Sequence, residues 1–263
     1  MSDEMNHFSM GLWLLGLAFA VAVSGSVIGL ACARHGMATT RPAVRMRWFF
    51  MGALSIGGVG IWLMHFVAML GFAVPGSPLR YSLTWTIISA VIAVIVVFAG
   101  LYVLGTEFNW SRLLASGFLI GMAISVMHYT GMQALQFQGQ INYNSLFVVL
   151  SFVIGVVGAT AALWFTMVMG STTLRLIAGP VMGLAVVGMH YTGMAAVELV
   201  SDTSASAPVG LALFPFIFPV FVLGLLALAV PIVAVLTVRD REIARMDATS
   251  DDLADEAREF ADQ

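Results

Sequence analysis

Seven stretches of this chain are apolar for 23 to 28 residues at a time. They run from Phe8 to Cys32, Trp48 to Phe72, Ser82 to Leu104, Leu113 to Leu135, Leu146 to Met169, Leu174 to Val197, and Leu211 to Val238. About 20 apolar residues suffice for a helix to cross a bilayer. A backbone in lipid must satisfy its own hydrogen bonds, which leaves helices as the economical way to span. Only 10% of the residues are charged, against roughly 25% in a soluble domain, so lipid must be the main solvent. The sequence therefore predicts an all-α bundle of seven transmembrane helices in a multi-pass membrane protein, with a membrane domain over 1–238 and a polar tail over 239–263. The first stretch is read as a span, not a signal peptide. Asp3 and Glu4 stand where a signal peptide is basic, and the apolar run is too long.

Arginine fixes an orientation. There is no lysine, and the 11 cations are all arginine. Arg34, Arg41, Arg45 and Arg47 lie between the first two spans, Arg112 opens the fourth, Arg175 opens the sixth, and Arg239, Arg241 and Arg245 follow the seventh. The alternate connections hold Arg80 alone. Cytoplasmic connections are the arginine-rich ones, which predicts an N-terminus outside and a C-terminus inside the cytoplasmic (inner) membrane of a bacterium. The net charge of −3 offers nothing to a nucleic acid. Cys32 is the only cysteine, so disulfides and cysteine-based zinc or iron–sulfur sites are excluded.

One phrase is written three times: Met64-His65-Phe66-Val67-Ala68-Met69, Met127-His128-Tyr129-Thr130-Gly131-Met132, and Met189-His190-Tyr191-Thr192-Gly193-Met194. The histidines are 63 and 62 residues apart, and each phrase falls on the second helix of a pair. The architecture is thus three helix-pair repeats plus an unpaired seventh helix, the latter carrying Pro215, Pro219 and Pro231. Gly57, Gly58 and Gly60, Gly117 and Gly121, and Gly179 and Gly183 sit on the phrase-bearing helices. Small residues let helix backbones approach closely in lipid, so the second, fourth and sixth spans are expected to pack around a shared centre.

Residues four apart share a helix face. His65 and Met69, His128 and Met132, and His190 and Met194 each present an imidazole and a thioether together, and these six are the candidate metal ligands. Met64, Met127 and Met189 point about 100° away; they are weaker, accessory candidates that fit packing better. Tyr129 and Tyr191 are accessory candidates, as is His7 at the start of the first span. Each histidine falls about 7 to 9 residues before the outer end of its helix, roughly 10–13 Å deep at 1.5 Å per residue. Intramembrane ionisable residues face the bundle interior and carry a function. Imidazole with thioether and no carboxylate suits copper, above all Cu(I), better than hard cations; haem, which takes both ligands axially, stays open.

On these residues the chain resembles the MHYT-domain family of bacterial membrane sensors, over about residues 5 to 238. The resemblance implies copper held near the outer face by the histidines and methionines, and sensing of oxygen, carbon monoxide, nitric oxide or redox state. Many members continue into a cytoplasmic signalling domain. Here the polar tail is 25 residues long, so a separate cytoplasmic or membrane signalling protein is expected as partner. Three readings stand: a metal-binding sensor, a haem sensor or electron carrier, and a copper transport or delivery partner. Catalysis is the weakest expectation, since no nucleophile–base pair, phosphate loop or carboxylate pair occurs.

Overall fold

A computed structural model describes residues 10–74, 77–168, 172–202 and 206–261. Seven helices are long and apolar enough to cross a membrane. The first span is α1 (Trp13–Ala38). The second runs Pro42–Gly71 and is composite: α2 (Pro42–Ala53), a π-helical segment (Leu54–Leu63), α3 (Met64–Ala68) and a 3₁₀ turn (Met69–Gly71). Then follow α4 (Leu83–Leu104), α5 (Trp110–Met132), α6 (Ser145–Val168), α7 (Thr172–Ala195) and α8 (Leu213–Ala261). The seventh span and the polar tail are one continuous helix, α8, with Pro219 and Pro231 inside it.

Six helices close into a ring. Within each pair, Gly25 and Gly29 of α1 meet Gly60 and Ile56 of the second span, Gly100 of α4 meets Ile120 of α5, and Gly158 of α6 meets Ala185 of α7. Between pairs, Gly57 meets Ala93 of α4, Gly117 and Gly121 of α5 meet Thr160 and Val156 of α6, and Gly179 and Gly183 of α7 meet Val27 and Val23 of α1. The last contact joins the third repeat to the first. The expectation for these glycines needs correcting. They do not bring the second, fourth and sixth spans against one another; Gly60 packs on α1 of its own pair, and the others seat their helices on the first helix of the next pair. The phrase-bearing helices nevertheless form the inner set: 83%, 56% and 61% of their most apolar windows are buried, against 39%, 33% and 28% for the outer three. The seventh span stands outside the ring, 17% buried, with Gly224 on Leu63.

The π segment lies where neighbouring helices approach closely on two sides, Gly25 of α1 against Gly60 and Ser55, and Ala93 of α4 against Gly57. π-helical turns are rare and concentrate at functional sites; this one ends immediately before Met64 and His65.

Four short strands lie beyond the histidine-bearing helix ends. β1 (Arg80–Tyr81) pairs antiparallel with β2 (Leu135–Gln136), and β3 (Gly139–Tyr143) with β4 (Val197–Ser201). Tyr81 N–H donates to the Leu211 carbonyl at 2.9 Å and Leu211 N–H to that of Tyr81 at 3.0 Å. All three connections at this end are therefore laced to one another. The all-α expectation holds for the spans; the strands are an addition that the sequence did not announce.

Candidate metal centre

The inner helices deliver the three histidines to one point. His65, His128 and His190 lie 6, 4 and 5 residues before the last helical residues Gly71, Met132 and Ala195, about 6–9 Å along the axis. That is shallower than the sequence count. The chain leaves the helix earlier than its apolarity suggests, because Leu135 and Val197, counted as helix ends, belong to strands.

The three Nδ1 atoms form a nearly equilateral triangle, with sides of 3.2 Å (His65–His190), 3.3 Å (His65–His128) and 3.2 Å (His128–His190). The rings stand edge to face, with centroids 5.0–5.1 Å apart and interplanar angles of 80–89°. All three are buried to 1% exposure or less. Neutral imidazoles cannot satisfy one another in this arrangement. A ring nitrogen that bears a proton has no in-plane lone pair, so no cyclic set of three hydrogen bonds exists, and at least two of the three nitrogens face each other with the same group, proton or lone pair. A cation between them resolves the conflict. The point equidistant from the three atoms lies about 1.9 Å from each (3.2 Å divided by √3), close to the Zn–N distance of about 2.0–2.1 Å typical of histidine ligation. The donor set fits a metal ion. Among the described residues this is the one group of histidine, cysteine or carboxylate side chains placed to hold one.

The far side of two of the rings is set by glycine. A β-carbon on Gly131 would lie 2.6 Å from Nε2 of His65, and one on Gly193 would lie 2.5 Å from Nε2 of His128. The phrase thus couples neighbouring repeats: its glycine makes room for the imidazole of the copy before. In the first copy the corresponding residue is Ala68, itself buried. Nε2 of His65 and of His128 have no hydrogen-bond partner, so neighbouring helix backbone and packing, not a carboxylate, hold these two rings. These glycines were missed as site residues, although their identity in the two matching copies was a usable signal.

The aromatic residue after each histidine packs on its ring, with centroids at 4.9 Å for Phe66, 4.9 Å for Tyr129 and 5.0 Å for Tyr191. Tyr129 OH pairs with Ser151 Oγ at 2.9 Å and its ring stacks on Phe152, which ties α5 to α6. Phe66 instead joins a cluster with Tyr81 and Phe216 of α8, where Tyr81 and Phe216 stack at 4.4 Å and 3°. Tyr191 lines a shallow apolar groove between α1 and α7 with Leu15, Phe19 and Met194.

Met69, Met132 and Met194 are buried, at 1%, 0% and 3% exposure; Met194 reaches the wall of that groove. Met64, Met127 and Met189 are wholly buried, and Met189 runs alongside Gly155 of α6. His7 lies outside the described residues.

The laced connections close this end of the ring. Ser82 N–H donates to the Ala134 carbonyl and Asn144 N–H to that of Ala196, both at 2.8 Å, and Gln138 N–H donates to Ser77 Oγ at 2.9 Å. Tyr81 and Tyr143 are built into the lacing. Burial pushes the phenol of Tyr81 up to about 12; burial, then the neighbouring Tyr129 phenol, does the same for Tyr143.

A family described as "Bacterial signalling protein N terminal repeat", MHYT, matches residues 58–117, 121–179 and 183–246. The chain belongs to the MHYT family. Each matched repeat begins on an inner helix just ahead of, or within, the stretch leading to the phrase, and runs through the following outer helix. The chain is 42% identical over 192 residues to the "Bifunctional diguanylate cyclase/cyclic di-GMP phosphodiesterase MucR" of Pseudomonas aeruginosa, covering 70% of this chain and 27% of that one. It is 34% identical over 206 residues to the "Cyclic di-GMP phosphodiesterase NbdA" of the same organism, 75% of this chain and 25% of that one. It is 28% identical over 204 residues to the "Signaling protein YkoW" of Bacillus subtilis, 74% and 25%. The chain thus spans about a quarter of the length of these relatives. No solved structure matches it. Membership places the chain among multi-pass bacterial membrane signalling proteins.

Proposed function

We propose that this MHYT domain is a copper-binding sensor of the bacterial inner membrane, with its histidine centre near the outer face and its signal passed to a separate protein. The observation that carries the reading is the Nδ1 triangle. Three Nδ1 atoms converge, buried, with no carboxylate beside them and with a thioether one turn on from each histidine. Such a set suits Cu(I). Haem fits the packing poorly, because imidazoles whose rings touch leave no slab between them for a porphyrin. Convergence on a single centre favours a fixed site over a transport ladder. We assign His65, His128 and His190 as ligands, with Met69, Met132 and Met194 as thioethers that bias the site towards the reduced ion.

Bound copper would supply a position for a diatomic ligand or a one-electron redox change. The protein's own part is separate. The lacing and the inner helices exclude water, and Gly131 and Gly193 fix two of the imidazoles. Any shift of His65 moves Phe66, and Phe66 bears on Phe216 of α8. α8 runs on past the arginine-rich end as the helix that a partner would read, which suits an N-terminus outside and a C-terminus inside. The names of the relatives point to cyclic di-GMP turnover as a natural output for such a partner.

The test is the metal content of detergent-purified protein, with the His128→Ala and His190→Ala variants. One copper per chain in the parent and loss in both variants supports the reading. No copper in the parent, or undiminished copper in both variants, overturns it, and stoichiometric zinc would keep the site but reject copper.

A further inference from the structure

At the opposite end of the bundle lies a second site of different chemistry. A cavity of about 640 Å³ opens between the start of α2, the end of α4 and the start of α5. Arg45 and Arg112 stand on its wall with Thr106, while Pro42, Met46, Phe49 and Val103 supply apolar surface. No carboxylate lines it. The nearest in sequence, Glu107, is exposed on the connecting turn.

The arginines are placed by the backbone. Gly105 has φ +72°, in the region that favours glycine, and a β-carbon there would lie 2.7 Å from one guanidinium nitrogen of Arg112 and 3.0 Å from its central carbon. The missing side chain is what allows the guanidinium to lie over the turn. Asn109 caps α5 by accepting from Arg112 N–H at 3.1 Å, which anchors the residue. Arg45 is half-buried on α2, above the buried Phe49.

Depth follows from the spans. α2 and α5 begin here and α4 ends here. Tyr102, exposed, is also part of the wall, and beside the cavity Phe108 and Trp110 pair edge to face at 5.2 Å and are exposed. Exposed tryptophan and tyrosine at helix ends mark the bilayer interface. Two arginines and a hydroxyl at headgroup level, with apolar wall leading into the hydrocarbon, suit a phosphodiester with chains attached. Basic pockets between transmembrane helices bind anionic headgroups, and arginine's planar fork matches phosphate oxygens.

We infer that Arg45 and Arg112 hold the phosphate of an anionic glycerophospholipid in the cavity between α2, α4 and α5. A soluble phosphate ester shares the charge but leaves Met46, Phe49 and Val103 uncovered, so the lipid is the occupant the walls select. The site is independent of the histidine centre, and its test does not require copper.

The experiment is native mass spectrometry and lipid titration of the delipidated full chain in detergent. Phosphatidylglycerol is compared with phosphatidylcholine, and inorganic phosphate is added as competitor. The chain should bind phosphatidylglycerol in preference. The double variant R45Q/R112Q should weaken it roughly 30-fold, from about 1 kcal/mol of surface attraction per arginine. R47Q, whose arginine is exposed on the same helix but outside the cavity, should bind as the parent does. Single variants R45Q and R112Q, each with a thermal melt, guard against a fold defect in the double. Undiminished binding in R45Q/R112Q overturns the site. Equal loss in R47Q overturns it too, by showing diffuse attraction. Displacement of the lipid by an equal concentration of inorganic phosphate overturns the lipid as occupant.

Discussion

Replacing one hydrogen by a methyl group at Gly193 tests how the centre is built. A β-carbon there falls 2.5 Å from Nε2 of His128, where ordinary contact begins near 3.4 Å, so the ring or the helix must give by about 0.9 Å. The Nδ1 atom cannot advance, since it already sits 3.2–3.3 Å from its two neighbours. The imidazole must swing or the helices must part. Metal sites tolerate ligand errors of about 0.2 Å, several times less than the required shift. Gly193→Ala should therefore lower Cu(I) affinity 10- to 100-fold, the usual cost of disturbing the groups that orient a ligand, and overpacking should cost about 1–3 kcal/mol of stability. Gly131→Ala should act alike through His65, where the clash is 2.6 Å. Gly188→Ala is the control: it lies on the same helix as Gly193, and its nearest neighbour is Ile154 at 3.5 Å. Competition titration against a chromophoric Cu(I) chelator reads the affinities. Parent-like affinity in both Gly131→Ala and Gly193→Ala, or an equal loss in Gly188→Ala, would refute the placement of the imidazoles against the glycines.

The other predictions concern the surroundings of the centre. Converting Met69, Met132 and Met194 together to leucine should leave copper stoichiometry intact but weaken Cu(I) relative to Cu(II), seen as a lowered reduction potential; an unchanged potential removes the thioethers from the site. Phe216→Ala should cost about 3–5 kcal/mol, as buried Phe truncations do, and should keep one metal per chain; loss of metal would mean that α8 builds the centre instead of reading it. Stripping copper with a chelator should lower the thermal midpoint, because a ligand present at 100 times its Kd stabilises by about 2.7 kcal/mol. The raised phenols of Tyr81 and Tyr143 set an alkaline limit. In the unfolded chain they ionise near 10, so the stability they contribute is complete below pH 10 and is lost as pH rises from 10 towards 12. Tyr81→Phe should flatten that decline in melts taken between pH 9 and 11.

The spans, the threefold phrase and the three histidines were legible because lipid imposes length and apolarity, and because an intramembrane histidine stands out against both. What was not legible was adjacency. A repeat reveals that units are equivalent, not which unit touches which, so the glycines of α5 and α7 were assigned to a central seam when they serve the neighbouring pair. The nitrogen that turns inward was also hidden, since spacing orients an imidazole but not its two edges. The strands escaped notice because two to five residues of mixed polarity carry no periodic signal, and the π segment because Gly57, Gly58 and Gly60 read equally well as close-packing residues of a regular helix.

The contact of Gly179 and Gly183 with Val27 and Val23 also sets an order of assembly during synthesis. A chain emerging from the N-terminus first inserts α1, then the helices carrying His65 and His128, and only after nearly two hundred residues the helix that both supplies His190 and clasps α1. Until then the bundle is an open arc with two of its three imidazoles in place. On the proposed reading, metal capture is a late event in biogenesis, and occupancy of the histidine centre would report that the sixth span has been inserted and the arc closed.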